Sequence, residues 1–550
     1  MRKFLIVAFT AFALVACNDN SIDDVTNGVL SGEVETSYIA INLSAADNTR
    51  ATGDQYQDGL DAERAVKAAY FFFFDNAGNA FPVKGSPATG EGSASDVNWI
   101  SANLHDFGSA TPNVSDIKDA VLVLNTYNGT YPAQIVAVIN WAPTAGTAYK
   151  LEDLYTATNI KGAGDGFVMS NAVYSDGTNA VVGTPITASN IFKSPADALA
   201  KPITIYVERI AAKVTVTAKD GVVENRFKVK EAMIDGTLTE VYIQVQGWEL
   251  YNDFTQSILL KDIDPTWADA TLGFTWNDAP YYRCYWANSL DFTHIGTNTF
   301  PTTFSLGLGN ATKVAAGTYD ANTYTYVGEN TLYDVASDDT TNCTKVIIKA
   351  KLQKKTGVDT YENLTLARWY ATYYAGVNEL LTAVANTIKY QYYWLDGSNY
   401  KYITPGDLTV KKDGNLVIFQ LSAAAELKNW YIPNGDGTYT SKTVSEMNTY
   451  LSAIEKALYY DNAETLYSVD IAHLGNGTVG AHKAGDYGIV RNHIYNIVLK
   501  SFGGFGSPVY IPGTGGLVYP DDPIDNGDYV SAEVRILSWR LVTHEVDVQS

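Results

Sequence analysis

Strand periodicity, broken every few residues by turn signals, is the feature that most restricts what this chain can fold into. Tyr38-Ile39-Ala40-Ile41-Asn42-Leu43 alternates, which places Ile39, Ile41 and Leu43 on one face. Tyr70 to Phe74 is a continuous aromatic run leading into Asp75-Asn76-Ala77-Gly78, a buried strand entering a turn. Ala120 to Leu124, Ile135 to Ile139, Ile203 to Val207 and Val214 to Thr217 are further strands, and Val241 to Leu250 opens a second block. Helical spacing is rare. Ser445 to Tyr460 carries Met447, Leu451, Ile454 and Leu458 on one face with Ser445 as N-cap, Leu380 to Ile388 is a weaker case, and Leu151 to Tyr155 is a short helical turn. The expected fold class is therefore mainly β with few short helices.

The N-terminus reads as an export signal. Met1-Arg2-Lys3 is basic, and Phe4 to Val15 is apolar but too short for a permanent bilayer span. Leu14-Val15-Ala16-Cys17 matches a lipobox, so residues 1–16 are a lipoprotein signal peptide and Cys17 is the lipidation site. An acidic tether follows, and no Lys or Arg appears between Cys17 and Arg50. Arg50 sits in a polar run of small residues, Asn48-Thr49-Arg50-Ala51-Thr52-Gly53, of the kind proteases cut. Cleavage between Arg50 and Ala51 would release residues 17–50, a propeptide carrying the first strand with Ile39, Ile41 and Leu43. A chain that is lipidated, exported and then cut free of its own first strand is prepared for assembly.

The C-terminus supplies the complementary part. A turn-rich segment from Gly503 to Asp528 reads as an extended linker. Beyond it, Val530, Ala532, Val534 and Ile536 alternate with polar residues, and Val546 and Val548 do the same. Two readings stand: edge strands of the last domain, or donor strands that fill a groove in the next subunit by β-augmentation. Inserting four or five apolar side chains, at roughly 1.5–3 kcal/mol each, gives on the order of 10 kcal/mol before ordering costs. Removal of the first strand would open the groove, and head-to-tail filling does not close, so it grows a filament.

Charge and composition narrow the partners. A net charge of -22 argues against nucleic acid and anionic lipid. Cys284 and Cys343 either pair in an oxidising compartment or stay as small buried thiols. The six histidines form no HExxH, and neither GxSxG nor a phosphate-binding loop occurs. Asp338-Asp339 and Asp521-Asp522 read as solvated loop acids before they read as a calcium site. The chain is thus expected to have no enzymatic activity, no cofactor and no metal. The rival reading is a surface lipoprotein that binds glycans through aromatic rings, with Trp248, Trp267, Trp286, Trp369, Trp394 and Trp430 as candidates.

Several short motifs, taken in order, resemble the Bacteroidales fimbrillins, or type V pilins, and most nearly the stalk subunits of short (minor) fimbriae of Porphyromonas. Arg50-Ala51 with Gly53-Asp54 is similar to the processing site, and Val168-Met169-Ser170 to an MSG-type motif with Asn171 in place of Gly. Val207-Glu208-Arg209-Ile210-Ala211-Ala212-Lys213-Val214 resembles a VERxxAKV strand pair. Tyr282-Arg283-Cys284-Tyr285-Trp286-Ala287 resembles a YRSYWA stretch with Cys284 as the departure, and Val490-Arg491-Asn492-His493-Ile494-Tyr495 a VRNxxY motif. The resemblance implies two β-sandwich domains of transthyretin-like topology; the strand pattern places their boundary near Gly221 to Arg226, giving domains at 51–223 and 224–502, followed by a linker and donor strands at 503–550. It also implies lipid-linked transit to the outer membrane, cutting by an Arg-directed, trypsin-like protease, and polymerisation with copies of itself beside anchor and tip fimbrial subunits. An anchor or tip subunit is the nearest alternative within that family.

Overall fold

The fold was derived from a computed structural model, which describes residues 34–45, 60–83, 97–102, 105–106, 118–127, 130–175, 180–219, 221–263, 286–291, 295–297, 305–306, 324–413, 416–473, 485–508, 530–537 and 542–544. Cys17, Arg50, Ala51, Trp267, Cys284, Asp521, Asp522, Val546 and Val548 lie outside these residues. The described chain is mainly β, as its alternation demands.

The first sheet is nine-stranded. Its main strands are β1 (Val34–Ala45), β2 (Ala69–Phe74), β3 (Trp99–Ala102), β4 (Lys118–Tyr127), β5 (Gln134–Ile139), β6 (Met169–Asn171) and β7 (Ile203–Arg209). They lie in the order β3-β2-β5-β6-β7-β1-β4, with the short strand His105–Asp106 beyond β4. The sheet folds over one core in which Ile39, Leu122, Leu124 and Ile205 meet Phe71, Phe73, Ile135 and Ile139. The aromatic run is continuous because β2 is covered on both sides. Phe72 and Phe74 face a separate cluster with Trp99, Leu154, Ile210 and Leu260. After β2, the Asp75 side chain accepts from the backbone N–H groups of Ala77 and Asn79 and closes the expected turn.

The next strands are β8 (Ala211–Ala218), β9 (Arg226–Ile234), β10 (Thr237–Tyr251), β11 (Tyr324–Gly328) and β12 (Lys345–Gly357). The chain then passes through a partly helical region containing α1 (Val377–Ile388), β13 (Tyr393–Asp396), β14 (Asn399–Tyr402), β15 (Trp430–Pro433), β16 (Tyr439–Lys442) and α2 (Val444–Ser452). It returns in β17 (Glu464–Asp470), β18 (Ile494–Phe502), β19 (Val530–Leu537) and β20 (Val542–His544). A five-stranded sheet, β11-β8-β18-β19-β20, faces a twelve-stranded one with β9-β10-β12-β17 at its centre. Val214, Val216, Ile497 and Leu499 of the former pack with Val241, Ile243, Ile348 and Leu352 of the latter, which makes this part a β-sandwich. The passage from the first sheet to this sandwich comes at Ile210, upstream of the expected boundary near Gly221 to Arg226, because β8 pairs in parallel with β18.

The partly helical region has its own core. Leu380, Leu381, Val384, Ala385 and Ile388 line one side of α1 and meet Trp430, Phe419, Met447 and Leu451. The second helix departs from the sequence expectation. It stops at Ser452, Leu458 lies in the strand Ala457–Tyr460, and the N-cap is Thr443 rather than Ser445. Thr443 Oγ1 accepts from Glu446 N at 3.2 Å while the Glu446 carboxylate accepts from Thr443 N at 2.8 Å, a reciprocal capping box. The start of the expected linker is also docked: Phe505 is buried in the sandwich core, and Ser507–Pro508 pairs with β17.

Trp286 of the YRSYWA-like stretch packs onto Gly488, whose φ is +133° and where a Cβ would stand 2.6 Å from the indole and 2.7 Å from the Asn330 carbonyl oxygen. Gly488→Ala should therefore cost about 2–3 kcal/mol, read as a lowered urea midpoint with unchanged m-value. Asp253 provides a pH signature. Burial holds its carboxyl up at about 7, from 3.8, and its Oδ1 is buried without a hydrogen-bond partner. Between those values the folded chain holds a proton that the unfolded chain has lost, so this group's stabilisation is full below 3.8 and is lost as pH rises through about 7. Asp253→Asn should flatten the decline in thermal midpoint across that window.

Candidate assembly site

The first strand occupies the interior of its sheet. β1 pairs antiparallel with β4, from Val34↔Tyr127 to Leu43↔Lys118, and parallel with β7, from Ile41↔Ile203 to Ala45↔Val207. Ile39 is fully buried in the core with Leu122, Leu124 and Ile205. Ile41 and Leu43 follow at period two along the same strand, opposite Ala120 and Lys118 of β4. Loss of β1 would unpair the facing edges of β4 and β7 and uncover the apolar floor beneath Ile39.

The C-terminal strands lie at the opposite kind of position. β19 pairs antiparallel with β18, bringing Val530, Ala532, Val534 and Ile536 opposite Phe502, Leu499, Ile497 and Tyr495, with a register shift between Leu499 and Ser501. β20 pairs with β19 alone, so both strands stand at one end of the five-stranded sheet. Two strands at an end can leave together without parting β8 from β18.

Between these two positions, the motifs that carry the sequence resemblance converge on one buried junction. The 207–214 segment passes from β7 into β8. Val207 and Ala211 belong to the first core, Ile210 to the aromatic cluster behind β2, and Ala212 and Val214 to the sandwich core. Backbone bonds stitch it to the other motifs: Ile210 N donates to Val168 O, Asn492 N to Ala211 O, and Lys213 N to His493 O. Arg491 is wholly buried. Its guanidinium donates to Glu329 Oε2 at 2.7 and 3.0 Å, to Ile258 O at 2.7 Å and to Leu259 O at 3.3 Å. Tyr495 receives Val490 N at 2.7 Å and reaches His473 Nδ1 at 2.9 Å, while the His473 ring lies 5.8 Å from Trp286. Asn171, where the resembled motif has Gly, accepts from Ala137 N and donates to Val182 O and Thr184 Oγ1. Its amide therefore fastens β5 to its neighbours. These motifs are joints, and none presents a reactive group.

The residue that sequence reading missed is Glu63, in the one-turn helix Asp61–Arg64. It is 1% exposed. Lys213 Nζ meets its carboxylate at 2.6 Å, the Tyr326 hydroxyl donates to the same oxygen, and Arg209 Nε donates to its carbonyl at 2.6 Å. Burial pushes the Lys213 ammonium below its usual value, opposed by the Glu63 charge, and burial together with Glu63 pushes the Tyr326 hydroxyl up. Just downstream, Asn140 accepts from Lys67 N and donates to Ala65 O. The segment from Glu63 to Lys67 is thus fixed to both sheets. Glu208–Lys261, at 3.1 Å, adds another buried pair in the same region. No local signal in the sequence marks these partners, which lie far apart along the chain.

The remaining sequence candidates fall elsewhere. Cys343 is a buried free thiol pushed up to about 12 by its burial. Asp338 accepts from the Tyr333 hydroxyl and Asp339 from Thr341 N. No metal-holding group of His, Cys, Asp and Glu occurs among the described residues. Trp248, Trp286, Trp369 and Trp430 are buried in cores, so they cannot serve as exposed stacking platforms.

Removing one partner of a buried pair strands the other charge, at about 3–5 kcal/mol. Glu63→Ala should lower the unfolding free energy by that amount in urea titrations. Glu63→Ala combined with Lys213→Met should recover much of the loss, because no uncompensated ammonium then remains.

Residues 458–545 match the family described as major fimbrial subunit protein type IV, fimbrillin, C-terminal. No curated protein matches the chain. Among solved structures, a fimbrillin from Porphyromonas gingivalis is similar at 13% identity and a TM-score of 0.35, covering 92% of this chain and 98% of its own. The tip fimbrial protein Mfa3 from Porphyromonas gingivalis is similar at 13% identity and a TM-score of 0.30, covering 92% of this chain and 100% of its own. The matched region begins at the strand Ala457–Tyr460 and takes in β17, β18, the Arg491 junction, β19 and β20. That C-terminal region is similar to the fimbrillin family.

Proposed function

We propose that this chain is the stalk subunit of a fimbrium and that its assembly is gated by removal of β1. It is exported as a lipoprotein acylated at Cys17 and carried to the outer membrane. An Arg-directed, trypsin-like protease then cuts between Arg50 and Ala51. Residues 17–50 leave with β1, and the C-terminal strands of a neighbouring copy enter the vacated slot. The role is structural, with copies of itself as the main partner and anchor and tip subunits at the fibre ends.

The observation that carries this reading is the placement of β1. It is an interior strand with one neighbour on each side, yet it belongs to the segment that precedes Arg50, the first basic residue after Cys17. The protein downstream of the cut is held independently by Glu63 and Asn140. Release of β1 therefore opens the sheet without loosening the new N-terminal region. The open slot offers unpaired edges on β4 and β7, and a strand from another copy satisfies both. The end position of β19 and β20 supports their role as donors, since their departure leaves the β8–β18 pairing in place.

Intact mass and N-terminal sequence of protein sheared from the cell surface test the processing step. The expected native start is Ala51, with Arg50→Ala retained as an acylated monomer that begins at Cys17. A fibre-borne native protein still beginning at acylated Cys17 would overturn the proposal and favour an anchor subunit. For the donor, Val546→Asp with Val548→Asp should yield a folded, cleaved monomer. Normal fibres from that variant would show that the last strand does not fill the slot.

A further inference from the structure

The partly helical region presents a surface that the assembly reading does not use. β14-β13-β15-β16 form a four-stranded antiparallel sheet. Its inner face carries Trp394, Trp430 and Ile432, which pack into the third core. The registers Tyr393↔Tyr402, Leu395↔Tyr400, Tyr393↔Tyr431 and Pro433↔Tyr439 put the alternate residues on the outer face. An antiparallel sheet with one face on a core ordinarily turns polar and charged residues to water. This one turns tyrosines.

The rings touch across the strands. Tyr400 stacks on Tyr439 at 3.9 Å and 18°, and meets Tyr431 edge-on at 5.2 Å. Tyr393 contacts Tyr402 and Tyr439, each at 5.1 Å, and Tyr390 at the border meets Tyr402 at 5.2 Å. Tyr390 is 62% exposed, Tyr402 47% and Tyr400 39%. Cross-strand aromatic pairs stabilise a sheet. That role alone does not require a hydroxyl on every ring or leave the rings this open to water, and a contiguous exposed aromatic patch marks a binding surface.

We propose that this tyrosine face binds a neutral oligosaccharide. Charge selects the occupant. The strand positions on the face (Tyr393, Leu395, Tyr400, Tyr402, Tyr431, Pro433, Tyr439 and Ser441) include no ionisable acid or base at neutral pH, so nothing there compensates a charged ligand. Asp396 ends β13 and Asp436 lies in the turn between β15 and β16, the whole chain has a net charge of -22, and the cations beside the face are Lys401, which alternates to the other side of β14, and Lys389, 4.8 Å from the Tyr390 ring at one border. An anionic glycan or lipid surface is therefore disfavoured. Tyrosines also occur at protein interfaces, but an arginine anchor is absent, and Leu395 and Pro433 are the only aliphatic side chains on the face beside five tyrosine hydroxyls that need polar partners. A pyranose has the matching chemistry: apolar C–H faces that lie on aromatic rings and a rim of hydroxyls that bond to the tyrosine hydroxyls.

The test uses the full-length chain and four neutral hexasaccharides (cellohexaose, mannohexaose, chitohexaose and maltohexaose), with a hyaluronan hexasaccharide as the anionic comparison. Calorimetry should detect at least one neutral sugar and no hyaluronan. Tyr400→Ala with Tyr439→Ala should weaken that binding at least tenfold, whereas Tyr400→Phe with Tyr439→Phe, which keeps the rings, should lose less. Tyr390→Ala, outside the strands, guards against misfolding of the double variant and should also weaken binding. Absence of binding to every neutral hexasaccharide would overturn the proposal, as would equal binding by the alanine variants. A sedimentation dimer abolished by Tyr390→Ala would overturn it in favour of a second copy as the occupant.

Discussion

The fold depends on how a few charges are buried where its sheets meet. Lys213 stands on a strand whose alternate residues serve different cores, and its ammonium is compatible with that position only because the Glu63 carboxylate meets it at 2.6 Å. Arg491 and Glu329 form a second such contact, with both side chains wholly buried. Taking these ions out of water costs several kcal/mol each, and mutual attraction in a dry environment offsets that only when the remaining donors are filled. Here they are filled, since the Arg491 guanidinium also reaches the Ile258 and Leu259 carbonyls. An apolar joint of the same volume could be as stable. It would not fix the angle and register between the first sheet and the sandwich, because apolar contacts have no direction.

The same joint bears on the proposed loss of an interior strand. In most sheets an interior strand is held by the continuity of the chain on both sides. Here the chain downstream of β1 is fixed to the fold at Glu63 and Asn140. The contribution of β1 is therefore separable: the backbone pairs to β4 and β7, and the burial of Ile39. What remains after its loss is a complete scaffold with one unsatisfied slot. Unpaired edges beside an apolar floor demand another strand.

Much of this architecture was legible in the sequence, for definite physical reasons. Period-two alternation located β1 and β19, and the all-aromatic run at β2 identified a buried strand, which is covered on both faces. Helix α2 was misjudged at both ends: Thr443 and Glu446 form the capping box, while Leu458 continues a helical period by coincidence and pairs as a strand. The change of sheet at Ile210 was placed too late, because β8 is paired by a strand far downstream. Glu63 was invisible for the same reason, as its partners are assembled only by the tertiary fold. The rival reading gave surface stacking to tryptophan, yet Trp248, Trp286, Trp369 and Trp430 are buried, and the exposed aromatic face is built of tyrosine, which tolerates both water and burial.

A tyrosine face on a repeating subunit has a consequence that a single copy cannot have. Ring stacking on a neutral sugar is weak per site, since each contact displaces water from a surface that water already wets. In a fibre the faces recur at the spacing of the subunits, and a polysaccharide that spans two of them meets the second at an effective concentration set by its own length. Avidity of this kind can exceed the single-site affinity by about two to four orders of magnitude without any new contact. It is lost when the subunits separate. If the chain polymerises as proposed, weak affinity per face is an advantage: a monomer that keeps β1 would bind little, and adhesion would follow polymerisation. On that reading the proposed opening of the first sheet and the tyrosine face would be linked through geometry alone, with no conformational signal between them.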